Sequence, residues 1–192
     1  MRGGRRNKQK IWRGFGKKIM DIIIRKPKEK EYEQVVKVVN SEKSLYGKVF
    51  SKKELDEIGI GNFKINDLKD DGSRNYLVAI IKGKVVGFVS WYIKPNNIIW
   101  ISMLEVDVNI HNQGIGSKLI KEVEQQARQS KQLKVKAIAL EVQKKAKWAV
   151  DFYKFNGYKI LDGNHLDKGL YKGTLSKKPV KNTYIFGKEI NN

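Results

Sequence analysis

The chain has no cysteine, only two histidines and three prolines, and no uninterrupted apolar run of membrane-spanning length. Without cysteine there is no disulfide scaffold and no thiolate zinc site, and the composition fits a reducing, cytoplasmic compartment. His111 and His165 are the only imidazoles, so no metal is expected. Lys82 and Lys84 interrupt the best apolar stretch, which excludes a transmembrane helix. The first apolar stretch is broken by Asp21 and is too short for a signal peptide. Acidic residues are also scarce, with 20 Asp and Glu against 40 Lys and Arg, a net charge of +20. The 192 residues suffice for one domain with a proper core.

The positive charge is uneven. The first thirty residues hold twelve Lys or Arg and two acids, so half of the excess lies in a sixth of the chain. Glycines and like charges oppose a stable helix there, with Trp12 and Phe15 interleaved. Residues 1–19 therefore read as a flexible basic arm ahead of a folded domain spanning 20–192. The arm has three readings. It is a solvated tail, a contact for RNA, DNA or the ribosome through phosphates and base stacking, or a weak membrane-surface contact.

Within the domain, Ile22–Ile24 reads as a strand and residues 29–40 as a helix with Tyr32, Val35, Val36 and Val39 on one face. Ser51 with Glu54 signals a second helix start. Asp70-Asp71-Gly72 reads as a turn, and residues 41–74, with Tyr46, Phe50 and Phe63, suit a substrate-facing lid. Tyr76–Ile81 and Val85–Ile93 flank Lys82-Gly83, a two-residue hairpin turn. Ile98–Val108 follows. These strands are apolar at odd and even positions, which predicts a sheet covered on both faces. A helix over Ser117–Gln129, a strand over Ala137–Val142, a helix over Lys144–Asn156 and strands over Tyr158–Leu161 and Thr183–Ile190 complete the domain. Residues 162–182 read as a long, glycine-rich loop. The fold class is α+β, a mixed, mostly antiparallel sheet flanked by helices on both faces.

The segment from Leu104 to Leu119 carries the most chemistry. An apolar strand runs into a turn with Gly114 and Gly116, and a helix begins there. The first amides of a helix have no partner inside it, and the helix dipole adds partial positive charge. Such a turn suits a phosphate or pyrophosphate. A P-loop is excluded, because the order here is Gly116-Ser117-Lys118 and no glycine precedes at the required spacing. A dinucleotide fingerprint is excluded because Leu119 stands at its third glycine.

The segment resembles the acetyl-CoA motif of the GNAT superfamily of N-acetyltransferases, Gln/Arg-x-x-Gly-x-Gly/Ala after a strand ending in Val-Asp-Pro. Here it falls on His111 to Gly116 after Val106-Asp107-Val108, with His111 in place of Gln/Arg and Val108 in place of Pro. A second family motif follows in the right order. Ala149, Phe152, Tyr153, Gly157 and Tyr158 match it, and Ala146 stands where Asn is frequent. The resemblance implies acetyl-CoA as co-substrate, held at Val106, Asp107, Val108, His111, Gln113, Gly114, Ile115, Gly116, Ser117 and Lys118. It also implies Tyr153 as the group that protonates or stabilises the leaving thiolate. Glu141 sits where the ribosomal-protein alanine acetyltransferase branch has its base.

Acetyl transfer to an amine needs the neutral amine. For a pKa of ~10.4, removing the proton at pH 7 costs about 4.6 kcal/mol. A carboxylate can accept it directly or through water, and both Glu141 and Glu105 are placed for this. The acceptor stays open among protein N-termini, lysines, aminoacyl-tRNA and small amines, as does the oligomeric state. A polycationic amine is disfavoured by the +20 surface unless acids around Asp67, Asp70 and Asp71 form a local pocket. The alternative function is a nucleic-acid- or ribosome-associated protein on the same fold.

Overall fold

Strands that are apolar on both faces must be covered on both, and the computed structural model shows what covers them. It describes residues 21–68, 72–94, 96–130, 134–167, 169–172, 174 and 182–190. Seven strands form one sheet: β1 (Ile23–Arg25), β2 (Asn75–Ile81), β3 (Lys84–Lys94), β4 (Ile98–Val106), β5 (Ala137–Gln143), β6 (Lys159–Leu161) and β7 (Thr183–Glu189). Their order is β1-β2-β3-β4-β5-β7-β6, and only the β4–β5 pair is parallel. Six helices join them: α1 (Tyr32–Ser41), α2 (Lys43–Tyr46), α3 (Lys52–Ile58), α4 (Ile115–Gln129), α5 (Lys147–Phe155) and α6 (Gly163–Asp167).

The strand alternation decides which helix goes where. Leu77, Ala79, Val89, Ile138 and Leu140 point to one face, beneath Leu119, Ile120 and Val123 of α4 and Val150 and Tyr153 of α5. Val78, Ile80 and Phe88 point to the other, beneath Val35, Val38 and Val39 of α1. Further along that second face, Ala137, Ala139 and Ile185 take Leu166, Leu170 and Tyr171. The expected mixed sheet with helices on both faces is what the chain forms. The stretch 162–182 is less of a loop than its glycines suggest, because α6 and a short 3-10 turn at Gly169–Tyr171 seat those apolar side chains on the sheet.

Local signals held where they had a mechanism. Lys82 and Gly83 both have positive φ, 49° and 76°, the geometry a tight hairpin needs. Ser51 and Glu54 form the reciprocal capping box at α3. Helix α5 starts later than expected, at Lys147, because Ala146 is buried against Phe50 and Leu55 as the cap residue. The basic arm and the Asp70-Asp71 turn lie outside the described residues.

One ion pair ties the first strand to the first helix. Arg25 donates to Glu31 at 2.8 and 2.6 Å, and the Lys28 amide adds a third bond at 2.8 Å. Glu31 is buried, and chiefly the Arg25 bond holds its carboxyl down at about 2. The folded value lies below the unfolded one, so this stabilisation is present above about pH 4.3 and is lost as pH falls toward 2. We expect Glu31→Gln to cost on the order of 2–3 kcal/mol at neutral pH and much less near pH 2, read by urea melts at both. An equal cost at both pH values would mean that packing, not the charge, is at work.

Candidate active site

Strands β4 and β5 pair only from Ile98–Ala137 to Ile101–Leu140. Beyond that point they part. The cause is visible in the β3–β4 ladder, where Ser90 pairs with Met103 but Trp91 pairs with Ile101, leaving Ser102 as a bulged residue. A bulge bends its strand and increases the local twist, so the end of β4 swings away from β5. The gap opens a cleft of about 1440 Å³ lined by Ser102–Val106 on one side and Glu141–Gln143 on the other. Its volume exceeds that of a typical small-ligand pocket, ~300–1,000 Å³, leaving room for two reactants. The Asp107 amide donates to Val86 on β3 at 3.0 Å. Antiparallel alternation therefore turns the amides of Leu104 and Val106 toward the gap.

Helix α4 begins at the mouth of this gap. Gly114 is its cap residue in the left-handed conformation, φ 79°, with no side-chain cap bond. The first intrahelical bond runs from the Lys118 amide to Gly114 O, 3.0 Å. The amides of Ile115, Gly116 and Ser117 precede it, and all three residues line the cleft with Gln113 and Gly114. A Cβ on Gly114 would meet nothing within 4 Å, so this face of the turn is open. Gly116 has a different reason to be glycine. A Cβ there would stand 3.1 Å from Phe152, so its absence lets α5 pack against α4. Orphan amides on an open helix start fit an anionic diphosphate.

Three residues assigned to the cofactor by sequence are not among the lining residues. Asp107 accepts from the Asn109 backbone and side-chain amides at 3.0 and 2.8 Å, shaping the turn. The Val108 amide donates to Ser41 Oγ at 3.4 Å. Lys118 sits a turn into α4. His111 does line the cleft, but its ring folds inward. Its Nε2 lies 2.7 Å from Val106 O and 3.0 Å from Glu42 Oε1. Two acceptors on one nitrogen require that nitrogen to carry the proton. The Glu42 bond, more than any other influence, raises the His111 pKa.

Glu105, Tyr153 and Tyr46 form an electrostatic group around the cleft. Burial, then the Glu42 charge, raises the Glu105 carboxyl well above the usual range. Tyr153 is 7 % exposed and its hydroxyl is pushed up by burial first and by Glu105 next. Tyr46 responds to the same causes in the same order. The Tyr153 ring contacts Phe152, Tyr158 and Phe186 at 5.0–5.9 Å between centroids. It is thus an aromatic anchor that also lines the cleft. Glu141 lies on the opposite strand and accepts from Thr183 Oγ1 at 2.6 Å.

Sequence reasoning missed Glu42 and Trp148 as lining residues. Trp148 meets Tyr46 of α2 edge-on at 5.1 Å, and both line the cleft. Among the described residues no group of three or more His, Cys, Asp or Glu is arranged to hold a metal. No helix of the described residues is long and apolar enough to cross a membrane.

Comparisons with known proteins agree with this geometry. A sequence model of the acetyltransferase (GNAT) family matches residues 35–158. No curated protein matches the sequence. The PaiA N-acetyltransferase of Thermoplasma acidophilum, in complex with coenzyme A, superposes with TM-score 0.69 at 19% identity, over 88% of this chain and 99% of that one. A candidate streptothricin acetyltransferase of Bacillus anthracis, in complex with acetyl-CoA, gives 0.52 at 22% over 68% and 70%. The ribosomal-protein-S18-alanine N-acetyltransferase of Escherichia coli gives 0.56 at 11% over 89% and 95%. At these identities the superpositions show the shared fold alone. The family model spans more than half of the chain, and on that ground the chain belongs to the acetyltransferase (GNAT) family, enzymes whose acyl donor is acetyl-CoA.

Proposed function

We propose that the cleft carries acetyl from acetyl-CoA to a primary amine by direct attack, with Glu105 as the base. The observation that supports this most is the split between β4 and β5. It puts two free strand amides, a helix start, a desolvated carboxylate and a buried phenol around one gap. The diphosphate rests on the amides of Ile115, Gly116 and Ser117, and the pantetheine arm lies along β4. Glu105, ionised, takes a proton from the ammonium, directly or through water. The neutral nitrogen then forms a bond to the thioester carbonyl carbon. The amide of Val106 or Leu104 stabilises the oxyanion, an effect worth about 3–4 kcal/mol for one well-placed donor elsewhere. The C–S bond breaks with the Tyr153 hydroxyl against the leaving sulfur. Glu141 is the second candidate base, and the acceptors consistent with the chemistry are a protein N-terminus, a lysine or a small amine.

Gly114 tests the cofactor placement. In Gly114→Val a branched side chain would project from the open face of the turn into the diphosphate path. We expect acetyl-CoA affinity to fall at least about tenfold, roughly 1.4 kcal/mol. The left-handed φ costs stability too, so the thermal midpoint is measured alongside. Unchanged affinity in the folded variant would sink the placement.

The charge of the first nineteen residues supports a second reading, in which the enzyme also binds nucleic acid or the ribosome. Eight Lys or Arg in residues 1–18 would neutralise several phosphates, each steepening log affinity against log salt by about 0.9 for duplex. Deleting residues 1–19 is expected to flatten that slope while acetyl transfer to a small amine persists. Equal binding by both forms would move the contact to the folded domain.

A further inference from the structure

The electrostatics of the cleft run against those of the chain. Lys and Arg outnumber Asp and Glu two to one overall. Yet the cleft is lined by six carboxylates, Glu42, Glu57, Asp67, Glu105, Glu141 and Asp151, against Arg74, the Glu42-bonded His111 and no lysine among the described residues. Glu141 is bonded to Thr183, and Asp67 accepts from the Lys64 amide at 2.7 Å. Glu42 is different. It is 4 % exposed, its Oε1 takes His111, and its Oε2 has no hydrogen-bond partner among the described residues. A buried carboxylate oxygen left without a donor is costly, commonly about 1–3 kcal/mol, and this one belongs to a residue that lines the cleft. A ligand donor would relieve it.

The walls between these carboxylates are aromatic. Tyr46, Phe63, Trp100 and Trp148 line the same cleft. Aromatic faces accept methylene chains and attract ammonium groups, with about 0.5–2 kcal/mol per cation. Carboxylates spaced by aromatic surface match a chain of methylenes carrying more than one ammonium group. The +20 charge of the chain does not prevent entry of a cation, because exposed charges are screened beyond ~8 Å at physiological salt, while a cleft of one sign focuses its own field.

We propose that the acceptor is a linear aliphatic polyamine, of the spermidine or putrescine type. This rests on the acetyltransferase reading of the same cleft. One terminal nitrogen is deprotonated and acetylated. The second stays an ammonium ion, held by the Glu42 Oε2 end and by Glu57 and Asp67 at the α3 side. The reacting ammonium gives up two protons, the first to Glu105 and from it to water, the second to the released CoA thiol, while one amide N–C bond forms and one thioester C–S bond breaks.

The test follows CoA release by the full-length enzyme with acetyl-CoA and, in turn, spermidine, putrescine, butylamine, a lysine-containing peptide and a lysine-free peptide with a free N-terminus. Acetyl-CoA binding is measured separately by titration calorimetry. We expect kcat/KM for spermidine and putrescine to exceed that for butylamine by roughly tenfold or more, one charge contact's worth. That margin should shrink between about 50 and 500 mM NaCl. The double variant Glu57→Gln with Asp67→Asn should raise KM for spermidine about three- to tenfold, leave its kcat alone, and leave butylamine unaffected. Butylamine or either peptide matching spermidine would overturn the proposal, as would a variant that slows every acceptor alike. If acetyl-CoA binds and only peptides turn over, the acceptor inference alone falls. If acetyl-CoA does not bind, the acetyltransferase reading falls and takes the acceptor with it.

Discussion

Tyr153→Phe is expected to lower kcat by about 10- to 1000-fold, the range that a positioned acid–base group contributes. The substitution isolates one hydroxyl. The ring is gripped by Phe152, Tyr158 and Phe186, and those contacts survive in phenylalanine. Among the described residues no side chain or backbone group is bonded to the hydroxyl, so its loss strands no protein partner. Burial and the Glu105 charge both push its pKa upward. The phenol is therefore protonated throughout the working pH range and remains a donor toward a thiolate forming beside it. A thiol titrates near ~8.5, below this phenol. Its main effect is then a hydrogen bond that strengthens as sulfur charge develops, with the proton completing transfer from the attacking nitrogen's side or from water. KM for acetyl-CoA should move little, because the bond is strongest in the transition state. A variant with normal turnover and only a lowered melting temperature would leave Tyr153 as an anchor of the core and nothing more.

Much of this site was legible in the chain, and the reason is local. A glycine turn at a helix start, a capping box and a two-residue hairpin are each written in a few adjacent residues, and Gly114, Ser51 and Lys82-Gly83 behave accordingly. Tyr153 could be placed because its spacing to Ala149, Phe152 and Gly157 lies within one helix and its stop. What could not be read depends on elements far apart in sequence. The bulge at Ser102 exists only in the register of β3 on β4, yet it is what opens the cleft. Glu42 is one more acid at the end of a lysine-containing helix until the fold brings it to His111. The same meeting occupies the His111 Nε2 with Glu42 and the Val106 carbonyl, a pairing that its motif position does not announce. Of the acid lining, Glu105, Glu141 and Asp67 could be singled out in the chain, but not that the fold gathers them with Glu42, Glu57 and Asp151. Those six come from the α1–α2 junction, α3, the 3-10 turn at Ile65–Leu68, β4, β5 and α5.

The choice between Glu105 and Glu141 as the base has a pH signature. A base works ionised, so kcat/KM must fall as pH drops through its pKa. For Glu105 that pKa is raised, by burial and then by the Glu42 charge. The acidic limb should therefore lie well above ~4.3, the ordinary glutamate value. Glu105→Gln should remove the limb and lower kcat by about 10²- to 10⁴-fold. Glu42→Gln keeps the shape of the side chain and its oxygen toward His111 but deletes the charge. Glu105 then ionises more easily, and the limb should move to lower pH by on the order of one unit. The direction is the decisive part, since simple damage to the site would lower the rate without shifting the limb. Glu141→Gln is expected to leave the limb where it was, because that carboxylate is on the opposite strand and already takes the Thr183 hydroxyl. All four pH profiles are measured at saturating acetyl-CoA with one amine, so the titration of the free amine is common to them. A limb abolished by Glu141→Gln and untouched by Glu105→Gln would transfer the base to β5. It would also leave Glu105 protonated beside Glu42, as a hydrogen-bond donor at the split between the strands.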